Sequence, residues 1–299
     1  MKVFLTGATG YIGGSVGKIL IDNGHQVFGL VRNQENADAV ARFGVHPVIG
    51  TLEDRHILVE NATRADAVIH TANSDHRAAV ETFIETLTGT GKVFIHTSGS
   101  SVVGDDVLGE STTTDIYTEE TPFIPMDIRE ERVAINNFVR RAGIDNWVRT
   151  VVIVPSMAYG EALGLPVESD QLPVIFKKSI EHQAGIYLGA GVNRWSNVHI
   201  ADLATLYLLA LEKAPSASYF YAENGEESYQ DIAGYVSSAL GYEGKTQSWS
   251  AEDALAELGD WARFALGSNS RVRAVHARNL LGWKPSHESL ADWIKNKPF

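Results

Sequence analysis

The first fourteen residues, MKVFLTGATGYIGG, constrain the fold more than any other stretch. Val3, Phe4 and Leu5 make a short apolar run that predicts a buried parallel strand. Gly7, Gly10 and Gly13 follow at a spacing of three, and from Ser15 the pattern turns helical, with Val16, Ile19 and Leu20 on one side. Strand, glycine turn and helix, in that order, form the context in which such glycines bind a dinucleotide. Gly7 permits the tight turn, Gly10 lets a diphosphate approach the backbone, and Gly13 lets helix and strand pack closely. The helix N-terminus, reached through Thr9, Tyr11 and Ile12, offers unpaired N–H groups and partial positive charge to the diphosphate. A glycine-rich turn without a ligand is the alternative; the agreement of strand, spacing and helix argues against it.

Alternating strands and helices continue through the next hundred residues. Gln26–Val31, Val45–Ile49, Ala65–Thr71, Lys92–His96 and Val148–Val154 read as further strands, so the expected architecture is α/β, a Rossmann-type doubly wound parallel sheet. Ligands bind at the carboxyl ends of such strands. That rule makes Thr71 and Ala72 candidates beneath a diphosphate, and Thr97, Ser98 and Ser100 candidates after the fifth strand. The second strand ends in Arg32, where an NAD-binding chain carries an acid for the ribose 2′-hydroxyl. An arginine suits a 2′-phosphate, to which it donates two parallel charged hydrogen bonds. The expected cofactor is therefore NADP(H), the alternative being a solvated surface arginine.

The chain has 299 residues, 44% of them hydrophobic and 21% charged, enough for a large core and one or two domains. A net charge of −12 argues against nucleic acid or an anionic membrane as a main partner. Cysteine is absent, which removes disulfides, thiolate catalysis and thiolate metal sites, and no other metal site is read. Lys2 leads directly into the first strand, so no signal peptide is expected. The longest apolar stretch, Leu203 to Leu211, is too short to span a bilayer. These features point to a cytoplasmic protein, monomer or homodimer, acting on a small molecule.

TGATGYIGG resembles the glycine motif of the short-chain dehydrogenase/reductase superfamily in its extended and atypical branches, the NAD-dependent epimerase/dehydratase-like group. Other stretches extend the resemblance along nearly the whole chain. Gly50-Thr51-Leu52 looks like the Gly-Asp-Leu segment that flanks the adenine, with Thr51 in place of Asp. Pro155 to Gly160 is similar to an Arg-Pro-x-x-x-Tyr-Gly turn, which brings in Pro155, Met157 and Tyr159. Val198 to Ala204 resembles a segment that caps the substrate pocket, making Trp195, Asn197 and His199 pocket candidates, although His199 could equally be a core histidine. Leu281 to Pro285 resembles Leu-Gly-Trp-x-Pro. The resemblance implies a cofactor domain over 1–160, rejoined by 196–213, and a smaller substrate-binding subdomain from 161–195 and 214–299. The acidic stretch Gly104 to Pro125 is expected as a loop over the site. Asp75 to Leu87, Asp127 to Ala142, Val174 to His182, a segment opened by Ser228, and most of Ser248 to Phe299 are expected to be helical, with His76 and Arg77 able to reach the site mouth.

The resemblance breaks at the catalytic residues. The superfamily pairs a Ser or Thr after the fifth strand with Tyr-x-x-x-Lys on the following helix, and no Tyr-x-x-x-Lys occurs here. The simplest alignment puts Ile128 at the tyrosine and Arg132 at the lysine, four residues apart on one face. Arg132 can donate to a ribose but cannot act as a proton donor at neutral pH; otherwise its stem covers the apolar stripe and its head reaches water. Gly99 falls at the serine position, flanked by Ser98 and Ser100. The leading expectation is an NADP(H)-dependent atypical oxidoreductase that reduces a small carbonyl, imine or activated alkene, drawing a proton from Ser98, Ser100, Tyr159 or water. A sugar-nucleotide epimerase or dehydratase, and a non-catalytic NADP-binding regulator, are the alternatives.

Overall fold

The computed structural model describes residues 1–297. Seven strands form one sheet: β1 (Lys2–Thr6), β2 (Gln26–Val31), β3 (His46–Ile49), β4 (Ala67–His70), β5 (Val93–Thr97), β6 (Arg149–Pro155) and β10 (Ser218–Ala222). Their order is β10-β6-β5-β4-β1-β2-β3, and every pair is parallel. β1, β4, β5 and β6 are almost wholly buried, as expected of strands covered on both faces. Helices α1 (Tyr11–Asp22) and α7 (Ile200–Lys213) pack together on one face; α3 (Arg55–Arg64), α4 (Arg77–Leu87) and α5 (Glu130–Asp145) pack in sequence on the other. The short α2 (Gln34–Ala41) packs on β2 and β3 at the sheet edge. The chain reverses direction across the sheet between β1 and β4, and this switch point opens a crevice at their carboxyl ends.

A second, smaller core lies beyond those ends. It is built on β7 (Met157–Tyr159), β9 (Arg194–His199) and β11 (Gly225–Ser228), which form a three-stranded sheet, and on the pair β8 (Gly185–Leu188) and β12 (Thr246–Trp249). Helices α6 (Gln171–His182), α8 (Tyr229–Ala239), α9 (Ala251–Leu258) and α11 (Leu290–Asn296) cover it, burying Tyr159, Phe176, Tyr229, Ile232 and Trp293. Ser228 caps α8 by accepting from the Asp231 amide, as its place three residues before an acid predicts.

The expected domain limits need one correction. Residues 218–222, assigned from the sequence to the smaller unit, are β10 and pair with β6 along its whole length. The Val-rich β6 leaves an edge that another apolar strand covers, and Tyr219, Phe220 and Tyr221 supply it. The later helix α10 (Val275–Leu281) and Trp283 also join the main core. Trp283 Nε1 donates to the Asp202 carbonyl at 2.9 Å, and the Asp202 carboxylate accepts from Ser286, His287 N and His287 Nδ1. Two separately recognised stretches thus meet as a structural clasp. The helical expectation for 248–299 is met by α9, a π-helical turn at Ala262–Leu266, α10 and α11; Pro298 and Phe299 lie outside the described residues. The helix expected from Asp127 starts with a 3-10 turn, Asp127–Arg129, before α5.

Candidate active site

The glycine turn is built as its chemistry requires. Gly7 has φ +76°, a conformation costly for any side chain, and a Cβ at Gly13 would overlap the Gly7 carbonyl. Gly7 also lies against Thr71, whose Oγ1 donates to the Thr6 carbonyl at 2.7 Å, so the turn is locked to the end of β4. Gly10 is exposed and caps α1 without any side-chain hydrogen bond, and no acid stands in the first helical turn. The amides there are left for an external anion. Tyr11 does not serve as an acid or base: its hydroxyl donates to the Gly160 carbonyl at 2.8 Å, and burial raises its pKa, with Glu161 and Tyr159 adding to the rise.

A cleft of about 410 Å³ opens between this turn and the carboxyl ends of β4, β5 and β6. The structure brings together on its walls Gly10, Tyr11, Ile12, Thr71, Ala72, Thr97, Ser98, Ser100, Arg132 and Pro155, ten of the residues singled out in the sequence. Thr97 Oγ1 is bonded to the Tyr207 hydroxyl at 2.7 Å. Ser98 Oγ accepts from Asn136 Nδ2 at 2.9 Å, which leaves its own O–H free to donate. Ser100 Oγ accepts from Ser270 Oγ at 2.8 Å. Arg132 donates through Nε and Nη2 to the two oxygens of Asp75 at 2.7 and 2.5 Å. Burial pushes the Asp75 carboxyl up, but the hydrogen bonds and charge of Arg132, with Arg129 behind it, outweigh this and hold its pKa below the ordinary value. The third guanidinium nitrogen, Nη1, lies 3.4 Å from where a Gly99 Cβ would stand. At the serine position, glycine thus leaves space beside the arginine.

Other sequence candidates lie elsewhere. Met157 and Tyr159 are buried in the smaller core, and the Tyr159 hydroxyl donates to the Glu288 carbonyl at 2.7 Å. Burial, with Asp202 and Glu288 nearby, raises the Tyr159 pKa. Arg32 stands exposed at the end of β2 with no ion pair among the described residues, and Thr51 and Leu52 follow β3, where Thr51 is bonded to Asp54. His199 caps α7, stacks on His287 at 4.5 Å and meets Tyr159 edge-on; it is a structural histidine. Burial and the neighbouring His287 lower its pKa. Trp195 does line the cleft, and its Nε1 donates to the Ser268 carbonyl. The acidic loop 104–125 does not line the cleft: Asp105 and Asp106 are tied to Asn269 and Arg263, because its carboxylates find cations and amides in that segment. His76 caps α4 and bonds Glu53, and Arg77 pairs with Glu131, leaving Asp75 as the acid that grips the cleft residue Arg132.

Several residues on or behind the wall had no distinct sequence signal. Asn136 lies one helical turn beyond Arg132 and reads as an ordinary polar helix position. Trp261 and Phe264 come from the turn after α9, where Gln171 Nε2 donates to the Ala265 carbonyl at 2.9 Å and pins it over the cleft. Asp170, at the rim, is the carboxylate on the wall. Among the described residues no cluster of three or more His, Asp or Glu could hold a metal ion, and no helix is long and apolar enough to cross a membrane.

An all-parallel sheet with a glycine turn and an uncapped helix at its switch point defines a dinucleotide-binding fold of the Rossmann type. The chain belongs to the NAD dependent epimerase/dehydratase family, whose model matches residues 3–220, and so to the extended class of short-chain dehydrogenases/reductases. It is 32% identical to an uncharacterized protein of Schizosaccharomyces pombe, over 97% of each chain. It is 31% identical to the oxidase ucsJ of an Acremonium species, over 95% of this chain and 92% of that one. Among solved structures, a dTDP-glucose 4,6-dehydratase from Bacillus anthracis in complex with NAD superposes with a TM-score of 0.79 at 15% identity, covering 99% of this chain and 94% of that one.

Proposed function

We propose that this chain is an NADP(H)-dependent oxidoreductase of an atypical extended type, reducing a small carbonyl, imine or activated alkene. The observation that carries the reading is the pairing on one cleft of an uncapped α1 N-terminus at Gly10 with a free hydroxyl donor, Ser98, on the opposite wall. The glycine cradle fits a dinucleotide diphosphate: a Cβ at Gly10 would stand in the space where the oxygens approach the helix amides. Arg32, exposed and unpaired at the end of β2, favours a 2′-phosphate. Arg132, fixed by Asp75, directs Nη1 along the Gly99 side of the cleft and would hold the nicotinamide ribose. When bound, the reduced nicotinamide supplies a hydride.

Ser98 donates a hydrogen bond to the substrate oxygen or nitrogen, while Asn136 holds the serine oxygen in place. Such a donor stabilises the negative charge that develops as hydride arrives. Neither Tyr11 nor Tyr159 is a base for abstracting an alcohol proton, since both hydroxyls are committed to backbone carbonyls and their pKa values are raised. This favours reduction of an already unsaturated substrate over the oxidation that opens an epimerase or dehydratase cycle. The relationship to a protein named as an oxidase agrees with redox chemistry. Absorbance of the nicotinamide, followed with NADPH and a panel of carbonyls, imines and activated alkenes, tests the reading. Steady consumption is expected. Tight binding with no consumption across the panel would favour the regulator instead, and retention of a sugar nucleotide would favour the epimerase or dehydratase.

A further inference from the structure

Arg129 ends the 3-10 turn before α5 and is 95% buried, with 5% of its surface exposed. Among the described residues its Nε and Nη2, both fully buried, have no hydrogen-bond partner, and no carboxylate forms an ion pair with it. Burial lowers its pKa to about 10, and the neighbouring Arg132 adds to the fall, while Asp75 and Asp260 oppose it. A guanidinium taken out of water without an acceptor is costly. The guanidinium instead lies against the ring of Phe264, with its carbon 3.4 Å from the ring centroid, and Phe264 itself lines the cleft.

Two further facts give this arginine a purpose. The unpartnered edge, Nε with Nη2, is the same edge with which Arg132 grips the Asp75 carboxylate three residues later. Phe264 stands on the π-helical turn Ala262–Leu266, which lies between Gly259 at φ +59° and Gly267. Such turns are rare and concentrate at functional sites.

We infer that Arg129 is the anion-recognition residue of the cleft, receiving a carboxylate on a small planar substrate once the Phe264 ring turns aside. A planar carboxylate matches the two parallel donors of the free edge. Trp195, Trp261 and the displaced Phe264 give the substrate's flat body an aromatic wall. The word substrate rests on the oxidoreductase reading above; the anion site itself does not.

Titration calorimetry of the full-length protein with benzoate and with its neutral isostere benzamide tests the inference. Benzoate is expected to bind at least about tenfold more tightly, as two charged hydrogen bonds imply. Arg129→Met should abolish that difference, and Phe264→Ala should enlarge it by removing the ring that must move. If Arg129→Met does not fold by circular dichroism, Arg129→Lys serves instead, and should shrink the difference because it keeps the charge and loses the planar edge. Equal affinities in the parent protein would overturn the inference. So would a difference that survives undiminished in the Arg129 variant, which would assign recognition to Arg132. No step requires turnover, so a failure here leaves the reductase reading intact, and a protein without hydride transfer can still pass.

Discussion

Arg132 and Asp75, 57 residues apart in the chain, hold each other through two parallel hydrogen bonds at the wall of the cleft. An ion pair as exposed as this one, with side chains 17% and 45% accessible, adds less than about 1 kcal/mol to stability. Its effect is on orientation: with Nε and Nη2 taken, only Nη1 remains to meet a ligand.

Arg132→Ala is therefore expected to weaken NADPH binding about tenfold or more, since a charged hydrogen bond is worth roughly 1.5–3 kcal/mol. Arg132→Lys should recover part of the loss, and Asp75→Asn should give a smaller loss by releasing the guanidinium. Calorimetric dissociation constants check all three. An unchanged constant in Arg132→Ala, with the fold intact, removes the ribose role.

In the proposed reading Arg32 sets the choice of cofactor. NADPH should bind more tightly than NADH, and Arg32→Ala should narrow the gap chiefly by weakening NADPH. Equal discrimination by the variant, or tighter binding of NADH by the parent, would assign Arg32 to the solvated surface.

Tyr159→Phe should leave turnover within about threefold of the parent, where loss of a general acid costs a hundred- to ten-thousandfold. The same variant should lower stability by about 1–2 kcal/mol, because the Glu288 carbonyl loses its donor. Parallel steady-state kinetics and denaturant unfolding separate the two effects. The reason lies in where β7 goes: it leaves the main sheet for the smaller one, carrying Tyr159 into a packed core.

The glycine turn and most of the cleft wall were legible in the sequence because they depend on local chemistry, a strand end followed at once by Gly7–Gly13, Thr71 or Thr97. What the sequence hid depends on distant partners. Nothing near Asp75 marks it as the acid that meets Arg132, since His76 and Arg77 beside it are equally polar. Arg129 and Arg132 look alike in a charged helix start; only the packed structure shows one paired and the other sealed beneath Phe264. β10 was misplaced because a strand arriving after a long excursion carries no mark of the sheet it rejoins.

The buried histidines make the fold acid-sensitive. His70 and His96 stack at 5.8 Å between β4 and β5, and among the described residues neither nitrogen of His96 has a hydrogen-bond partner. Burial lowers the His70 pKa to about 4 and that of His96 well below its ordinary value. The folded protein thus refuses protons that the unfolded chain accepts. The contribution of His70 to stability is complete above the unfolded value of about 6.5, falls below it by about 1.4 kcal/mol per pH unit and levels off near pH 4, and that of His96 falls in the same direction. His96→Phe should remove one share of that slope. Denaturant unfolding at about pH 7.5 and about pH 5 should show the parent losing more stability than the variant on going to the lower pH.

The most direct test of the account follows the hydride itself. The protein is mixed with NADPH deuterated at its transferable position and with a panel of carbonyls, imines and activated alkenes, and the products are read by mass spectrometry. Deuterium should appear on the carbon of a reduced product, with Ser98→Ala slowing its appearance about a hundredfold, in line with loss of one preorganised donor. NADPH that binds and retains all its label in the presence of every substrate would contradict the account.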